Sequence, residues 1–370
     1  MKIKTITCHD VYNVGASLQA FALVTYLRQL GHDAEIVDYK PFYLSNHYKL
    51  LGVGNPKYDR PVLREIYNIL KFPGRLRARL SRRKKEYDDF TNDYLPLTTK
   101  RYTSNEELKN DPPEADLFFA GSDQIWNTLF QNGKDPAFYL DFVPEGVRRA
   151  SYAASFATDD IMEEWKPKVK QWLSNMDDIS VRESSGLLIL DNLGIKNAVQ
   201  VLDPVFLLKG TDWEKLEKDL SLCEPYLLLY DFEQNPQIAE CARTLAKKNG
   251  WKVYSVLHNP CCDRCFDQEG PLAFLYLIHH ARFVLSNSFH ATAFSLIFQK
   301  EFITFDRGEK INTRMRDLLS SVGVENRYGI DTKWNEPVEP IDYERTAERL
   351  ETAIVESKRF IDSVIQSVKQ

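Results

Sequence analysis

Apolar positions change period repeatedly along the chain, and the changes mark the elements. Residues 3–8 (IKTITC) form a short β-branched run, and 12–17 (YNVGAS) supply a glycine turn. Ala16, Ala20, Leu23, Leu27 and Leu30 then recur at helical spacing up to Gly31. Residues 34–39 (AEIVDY) read as a second strand, which completes a βαβ unit and predicts a parallel sheet with a right-handed crossover. The stretch to about residue 110 is charged and less regular. Residues 116–123 (DLFFAGSD) read as a buried strand running into a Gly-Ser-Asp turn, with further strands expected at 149–154, 178–182 and 199–202. Chain reversals at Asp203-Pro204 and Lys209-Gly210 precede a second series. That series alternates strand 226–232, helix 236–248, strand 251–257, helix 271–281, strand 282–286, helix 288–299 and strand 302–305. A long amphipathic helix fits 341–368.

Two consecutive β/α series predict an α/β protein of two Rossmann-like domains facing across a cleft. The expected bounds are 1–205, 215–335 and a helical tail at 336–370. In such folds ligands sit at the carboxyl ends of strands, beside helix N-termini. The 370 residues suit two domains, and 43% hydrophobic with 27% charged residues is ordinary for a globular chain with a real core. A net charge of −5 gives no overall basic field for nucleic acid. No apolar run is long enough to span a bilayer, and MKIKTITCHD lacks the pattern of a signal peptide. Six cysteines without regular spacing fit a reducing compartment, so a cytoplasmic location is expected. One segment breaks the charge balance: residues 71–87 carry eight Lys or Arg against a single acid. The ordinary reading is a solvated helix face; the other is peripheral membrane contact through 71–85.

Candidate chemistry gathers at the junction 286–295 (SNSFHATAFS). Asn287 and Ser288 suit the N-cap of the following helix, and His290 falls in its first turn. There, free N–H groups and the positive end of the dipole favour a bound anion and a neutral ring, the form that acts as a base. Alone, the ring fits a hydrogen bond to a neighbouring loop equally well. Downstream, Arg307, Lys310, Arg314 and Arg316 should rim the same cleft, Lys310 and Arg314 sharing a helix face. Arg182 ends a strand and either clamps an anion or pairs with Asp178 or Glu183. On the opposite side, Asn13, Gly15 and Gln19 occupy the first turn. Gly121, Ser122 and Asp123 occupy another, where glycine permits close approach and Asp123 suits a sugar hydroxyl. Cys261, Cys262 and Cys265, near His258, read as a loop with free thiols rather than a zinc site, since no second C-x-x-C exists.

Together these motifs resemble the polysaccharide pyruvyl transferase family. The likeness is carried by 13–23 (NVGASLQAFAL), 31–39 (GHDAEIVDY), 121–127 (GSDQIWN), 151–156 (SYAASF), 180–183 (SVRE), 202–208 (LDPVFLL), 286–295 and 312–319 (NTRMRDLL). The resemblance implies a glycosyltransferase-B-like pair of domains. It also implies transfer of the pyruvyl group of phosphoenolpyruvate to hydroxyls of a glycan or lipid-linked sugar, making a ketal and releasing phosphate. On that expectation the N-terminal domain takes the acceptor, near Asn13, Gly15, Gln19, Gly121, Ser122 and Asp123. The C-terminal domain takes phosphoenolpyruvate, near Asn287, Ser288, Lys310 and Arg314 with Arg182, and His290 is the catalytic acid/base. No cofactor or metal is expected. The alternatives are a nucleotide-sugar glycosyltransferase and a non-catalytic sugar- or phosphate-binding protein, because fold alone does not set function. Ala291 departs from the family pattern, where glycine usually follows the motif histidine.

Overall fold

The computed structural model describes residues 1–45, 48–51, 53, 60–308, 312–329 and 339–368. The first series runs β1 (Lys2–Ile6), α1 (Val14–Gln29), β2 (Asp33–Tyr39), α2 (Pro61–Arg79), α3 (Arg82–Tyr94), β3 (Leu97–Tyr102), α4 (Asn105–Asn110), β4 (Leu117–Ala120) and β5 (Arg148–Ser151). Its five strands are parallel in the order β3-β2-β1-β4-β5. The chain leaves β1 toward β2 on one side and returns to β4 on the other. The strand order therefore reverses between β1 and β4, the place where such sheets open a crevice.

After α5 (Lys166–Leu173) come β6 (Ser180–Val181), α6 (Ser184–Asn192) and β7 (Val199–Gln200). The strands expected at 178–182 and 199–202 thus form a separate two-stranded sheet. Bridges Ala150–Asp178 and Ala154–Val181 tie it to the edge of the first.

The second series is α7 (Gly210–Glu214), β8 (Tyr226–Tyr230), α8 (Pro236–Asn249), β9 (Lys252–Ser255), β10 (Arg264–Cys265), α9 (Pro271–His279), β11 (Phe283–Ser286), α10 (Phe289–Ile297), β12 (Phe302–Thr304) and α11 (Thr313–Val322). Its sheet repeats the parallel order, β10-β9-β8-β11-β12, so the reversal lies between β8 and β11. All five residues of β8 are buried, as an inner parallel strand requires.

The first part of the connection, 203–208, is buried. A 3-10 turn, Pro204–Leu207, buries Val205, Phe206 and Leu207 against α1, and Trp213 is fully buried beneath it. The Trp213 ring meets Phe21 of the first half and Phe294 of the second, and its Nε1 donates to the Val205 carbonyl at 3.2 Å. One apolar cluster consequently runs from Ile3 to Ile365 through both halves. The final helix, α12 (Tyr343–Ser367), returns to the first half: Phe360 lies 6.5 Å from the Tyr152 ring, and Ser357 Oγ accepts from the Leu202 amide at 2.9 Å.

Three expectations change. The stretch before residue 110 is not irregular but contains α2, α3, α4 and the edge strand β3. The Cys-rich segment includes β10, which pairs with β9. The tail is not a separate unit, because α12 packs against both halves.

Candidate active site

The two strand-order reversals face one another. Asn13, Asp123 and Gln124 come from the first sheet's loops, and Phe232, Ser288, Phe289 and His290 from the second's; all line one cavity of about 200 Å³. Arg307, Arg314 and Met315 close it from the loop and helix after β12.

Helix α10 starts here because Ser288 caps it, its Oγ accepting from the Ala291 amide at 3.4 Å. Helix α1 starts opposite in the same way, with Asn13 Oδ1 accepting from the Ala16 amide at 3.2 Å. His290 lies between these two helix N-termini. A Cβ on Gly15 would fall 1.9 Å from His290 Nδ1, so glycine is what lets the ring seat against α1. The same atom-by-atom fit explains Gly121, whose φ is +123° and whose Cβ would meet the Tyr152 carbonyl oxygen at 2.3 Å. Gly121 therefore permits a strand contact rather than an approach by ligand.

Behind His290 stands Asp203. Its Oδ2 is 3.6 Å from His290 Nε2 and also takes Arg182 Nη1, while Oδ1 accepts from the Val205 amide at 3.1 Å. Burial pushes this carboxyl up, but His290 and Arg182 outweigh it and hold Asp203 well below the ordinary carboxylate range. Asp203 is thus a fixed buried anion that orients both the ring and the guanidinium. The sequence reading saw only a chain reversal at this Asp-Pro pair.

Arg182 pairs with neither Asp178 nor Glu183. Its second nitrogen reaches Asp123 Oδ1 at 3.4 Å, and its plane lies 4.6 Å over the Phe289 ring. Glu183 instead accepts from Ser155 Oγ and the amides of Phe156 and Ala157, bracing the turn beside the cavity. Arg314 approaches the same Asp123 oxygen at 3.9 Å and the same Phe289 face at 5.8 Å. Burial, then the neighbouring Arg182, pushes the Arg314 guanidinium down to about 10. Its Nε makes no hydrogen bond. Two buried guanidinium groups thus share Asp123, Arg182 is held by Asp203 as well, and Arg307 at the rim lies 3.9 Å from Glu233.

The other expected site residues fall into two groups. Asn13, Asp123, Ser288 and Arg314 line the cavity with His290. Asn287 lines it too, but its side chain is engaged, donating to Asp231 Oδ1 at 2.8 Å and accepting from the Phe232 amide at 3.0 Å. It braces the loop after β8. Gln19 and Ser122 are buried and held inside the fold: Gln19 bonds Thr7 and Ala16, and the Ser122 amide donates to Gln19 Oε1. Arg316 pairs with Asp306 at 3.4 Å on the exposed side of α11. Lys310 lies outside the described residues. Ala291 is fully buried in the shared core, so its methyl group does not narrow the cleft. A second cavity of about 440 Å³, lined by Arg182 and Asp203, shares Phe289 and Arg314 with the first and reaches α12 at Glu356.

All six cysteines are free thiols, and burial raises those of Cys261 and Cys265. Among the described residues the grouping with metal-ligand geometry is Glu217, His279 and His280, none of which lines the cleft.

This pairing of parallel sheets, with facing reversals and a returning terminal helix, is the glycosyltransferase-B-type architecture. A protein described as a UDP-N-acetylglucosamine 2-epimerase from Listeria monocytogenes shares it with a TM-score of 0.50, at 10% identity over 99% of this chain and 90% of that one. The UDP-GlcNAc 2-epimerase from Neisseria meningitidis, solved with UDP-GlcNAc, overlaps 98% of this chain and 94% of its own (11% identity, TM-score 0.48). The Escherichia coli heptosyltransferase WaaC, solved with ADP, covers 95% and 100% (10% identity, TM-score 0.41). The likeness to the Listeria protein bears on the fold alone. No curated protein matches the chain in sequence. The family model for polysaccharide pyruvyl transferase matches residues 13–309, and the chain belongs to that family.

Proposed function

We propose that the protein moves the pyruvyl group of phosphoenolpyruvate onto two hydroxyls of a glycan or lipid-linked sugar, forming a ketal and releasing phosphate. The observation that carries this reading is His290, in the cleft beside Arg314 and next to the buried Asp203 that also holds Arg182, in a chain of the polysaccharide pyruvyl transferase family.

Phosphoenolpyruvate brings a carboxylate and a phosphate, and Arg182, Arg314 and Arg307 supply donors for both. His290 delivers a proton to the enol carbon C3 as a sugar oxygen bonds to C2. That sugar hydroxyl gives its proton back to the ring. Phosphate then leaves as the C2–O bond breaks, drawn by the guanidinium groups, and a second sugar hydroxyl closes the ketal while its proton goes to phosphate. One methyl group is made and no electrons change hands. A positioned acid/base of this kind contributes roughly 10²–10⁴ in rate, and fixed cations at the departing anion contribute as an oxyanion hole does. Asp123, beside the same two guanidinium groups, suits an acceptor hydroxyl. The reading requires phosphate release from phosphoenolpyruvate only when a suitable glycoside is present. Release of nucleoside diphosphate from a nucleotide sugar instead would replace it with glycosyl transfer, which the same fold supports.

A further inference from the structure

Helix α2 is built inside out. A surface helix normally turns its apolar stripe to the core. Here Val62, Ile66, Ile69, Leu70, Leu76 and Leu80 recur at helical spacing on one face, and each is exposed, Val62, Ile69, Leu70 and Leu80 by 69–76%. Contact with the protein is made by the opposite side. Arg75 is the buried residue of this helix, donating to Asn68 Oδ1 at 3.1 Å and to the Leu50 carbonyl at 3.4 Å. Tyr67, Asn68 and Ala78 are half-buried beside it. Among the described residues, no other helix carries such a run of exposed large apolar side chains.

The flanks say what covers this stripe. Arg77 falls within the stripe and Arg79 at its edge, Arg60, Arg64 and Lys71 lie toward the opposite side, and Glu65 is the helix's one acid. A second copy of the chain would bring the same cations face to face, so self-pairing is opposed by charge. An apolar stripe about five turns long, with Arg77 and Arg79 set at it on a helix of strongly positive charge, fits the headgroup boundary of an anionic bilayer. The later part of the basic run is not available for this. Arg82 pairs with Glu86 and Glu269, Lys84 with Asp88 and Lys85 with Asp89. Arg83 is tied to the carbonyls of Asp267 and Tyr12 at 3.2 and 3.1 Å. That tie matters, because Tyr12 adjoins Asn13 at the cleft. The joint between α2 and α3 also borders an open cavity of about 820 Å³ lined by Tyr48, Gly74, Arg77, Leu80 and Arg83.

From these observations we infer that α2 is a peripheral membrane anchor that lays its Val62–Leu80 stripe into anionic lipid and holds the cleft at the bilayer surface. Among the described residues no helix is long and apolar enough to cross a membrane, so the contact is interfacial. Binding to vesicles needs no substrate, so its outcome is separate from that of the proposed reaction.

The test is co-sedimentation of the full chain with phosphatidylglycerol-rich or pure phosphatidylcholine vesicles. The wild type pellets with the anionic vesicles and is released by salt. I69D/L76D lowers the vesicle affinity at least tenfold, and R77E/R79E lowers it by roughly fivefold or more per side chain. Leu188→Asp, on an exposed apolar residue of α6, leaves it unchanged. Unchanged melting temperatures and unchanged phosphate release with a free glycoside show that the variants are folded. The proposal is overturned if the wild type stays in the supernatant with anionic vesicles, or if I69D/L76D binds as tightly as the wild type. A concentration-dependent dimer in sedimentation velocity that I69D/L76D dissociates would assign the stripe to self-association instead.

Discussion

Replacing Arg314 by methionine should separate stability from binding. Arg314 is buried, and its guanidinium is pushed down to about 10, first by burial and then by the adjacent Arg182. A base whose folded value is lowered costs stability wherever it is charged. The cost is therefore complete below about pH 10 and is relieved only as pH rises from there toward the ordinary guanidinium value. At about 1.4 kcal/mol per pH unit, the charged Arg314 carries roughly 3 kcal/mol of unfavourable energy at neutral pH. Arg314→Met removes that charge, keeps much of the volume over Phe289, and leaves Asp123 paired with Arg182. For a chain of this size the melting temperature should rise by up to about 4 °C without ligand. Phosphoenolpyruvate at a hundred times its dissociation constant should add about 2.7 kcal/mol, or roughly 3 °C, to the wild type. It should add nothing to the variant. Differential scanning fluorimetry at pH 7 with and without phosphoenolpyruvate reads both effects. A variant that loses more than about 2 kcal/mol and keeps the ligand shift would refute the reasoning, because Arg314 would then be a structural cation and not an anion binder.

The remaining predictions concern the ring and its supports. His290→Ala should lower kcat by roughly 10²–10⁴ with a much smaller change in KM, measured by phosphate release. Gly15→Ala puts a Cβ where His290 Nδ1 sits and should cost about 10² in kcat through a displaced ring, while phosphoenolpyruvate still raises the melting temperature. Asp203→Asn leaves Arg182 and His290 without their buried anion and should destabilise by about 3 kcal/mol. Because the Asp203 carboxyl is held low, its contribution is present above the ordinary carboxylate value and is lost as pH falls through the lower folded one. Urea titrations of the two proteins should accordingly converge below about pH 4. Trp213→Ala opens the core between the halves and should cost about 3–5 kcal/mol in a single cooperative transition.

The sequence was most readable where local and tertiary requirements agree. The buried strands around Ile3, Leu117 and Leu228, the capped helices after Asn13 and Ser288, and the paired β/α series all follow from period and turn chemistry. Residues 40–110 were opaque because α2 shows its apolar face to solvent and β3 is an edge strand carrying Lys100 and Arg101, so neither matches a core-facing pattern. At the site, His290 and the cations after β12 were visible as residue types. Their sorting was not: Gln19 and Ser122 point inward, Asn287 braces a loop, and Arg316 turns outward. Asp203 was missed because an Asp before Pro is ordinary turn chemistry. Only the meeting of β11, β6 and the connection at 203 reveals it as the partner of both His290 and Arg182.

The most direct test is to run the reaction in D₂O with phosphoenolpyruvate and a panel of free and lipid-linked glycosides, then analyse the product by mass spectrometry and NMR. Protonation of C3 by His290 predicts a pyruvate ketal whose methyl group carries one solvent deuterium, with phosphate released in equal amount and both lost in His290→Ala. A ketal formed at the wild-type rate by His290→Ala, or phosphate released with free pyruvate and no ketal, would contradict the account.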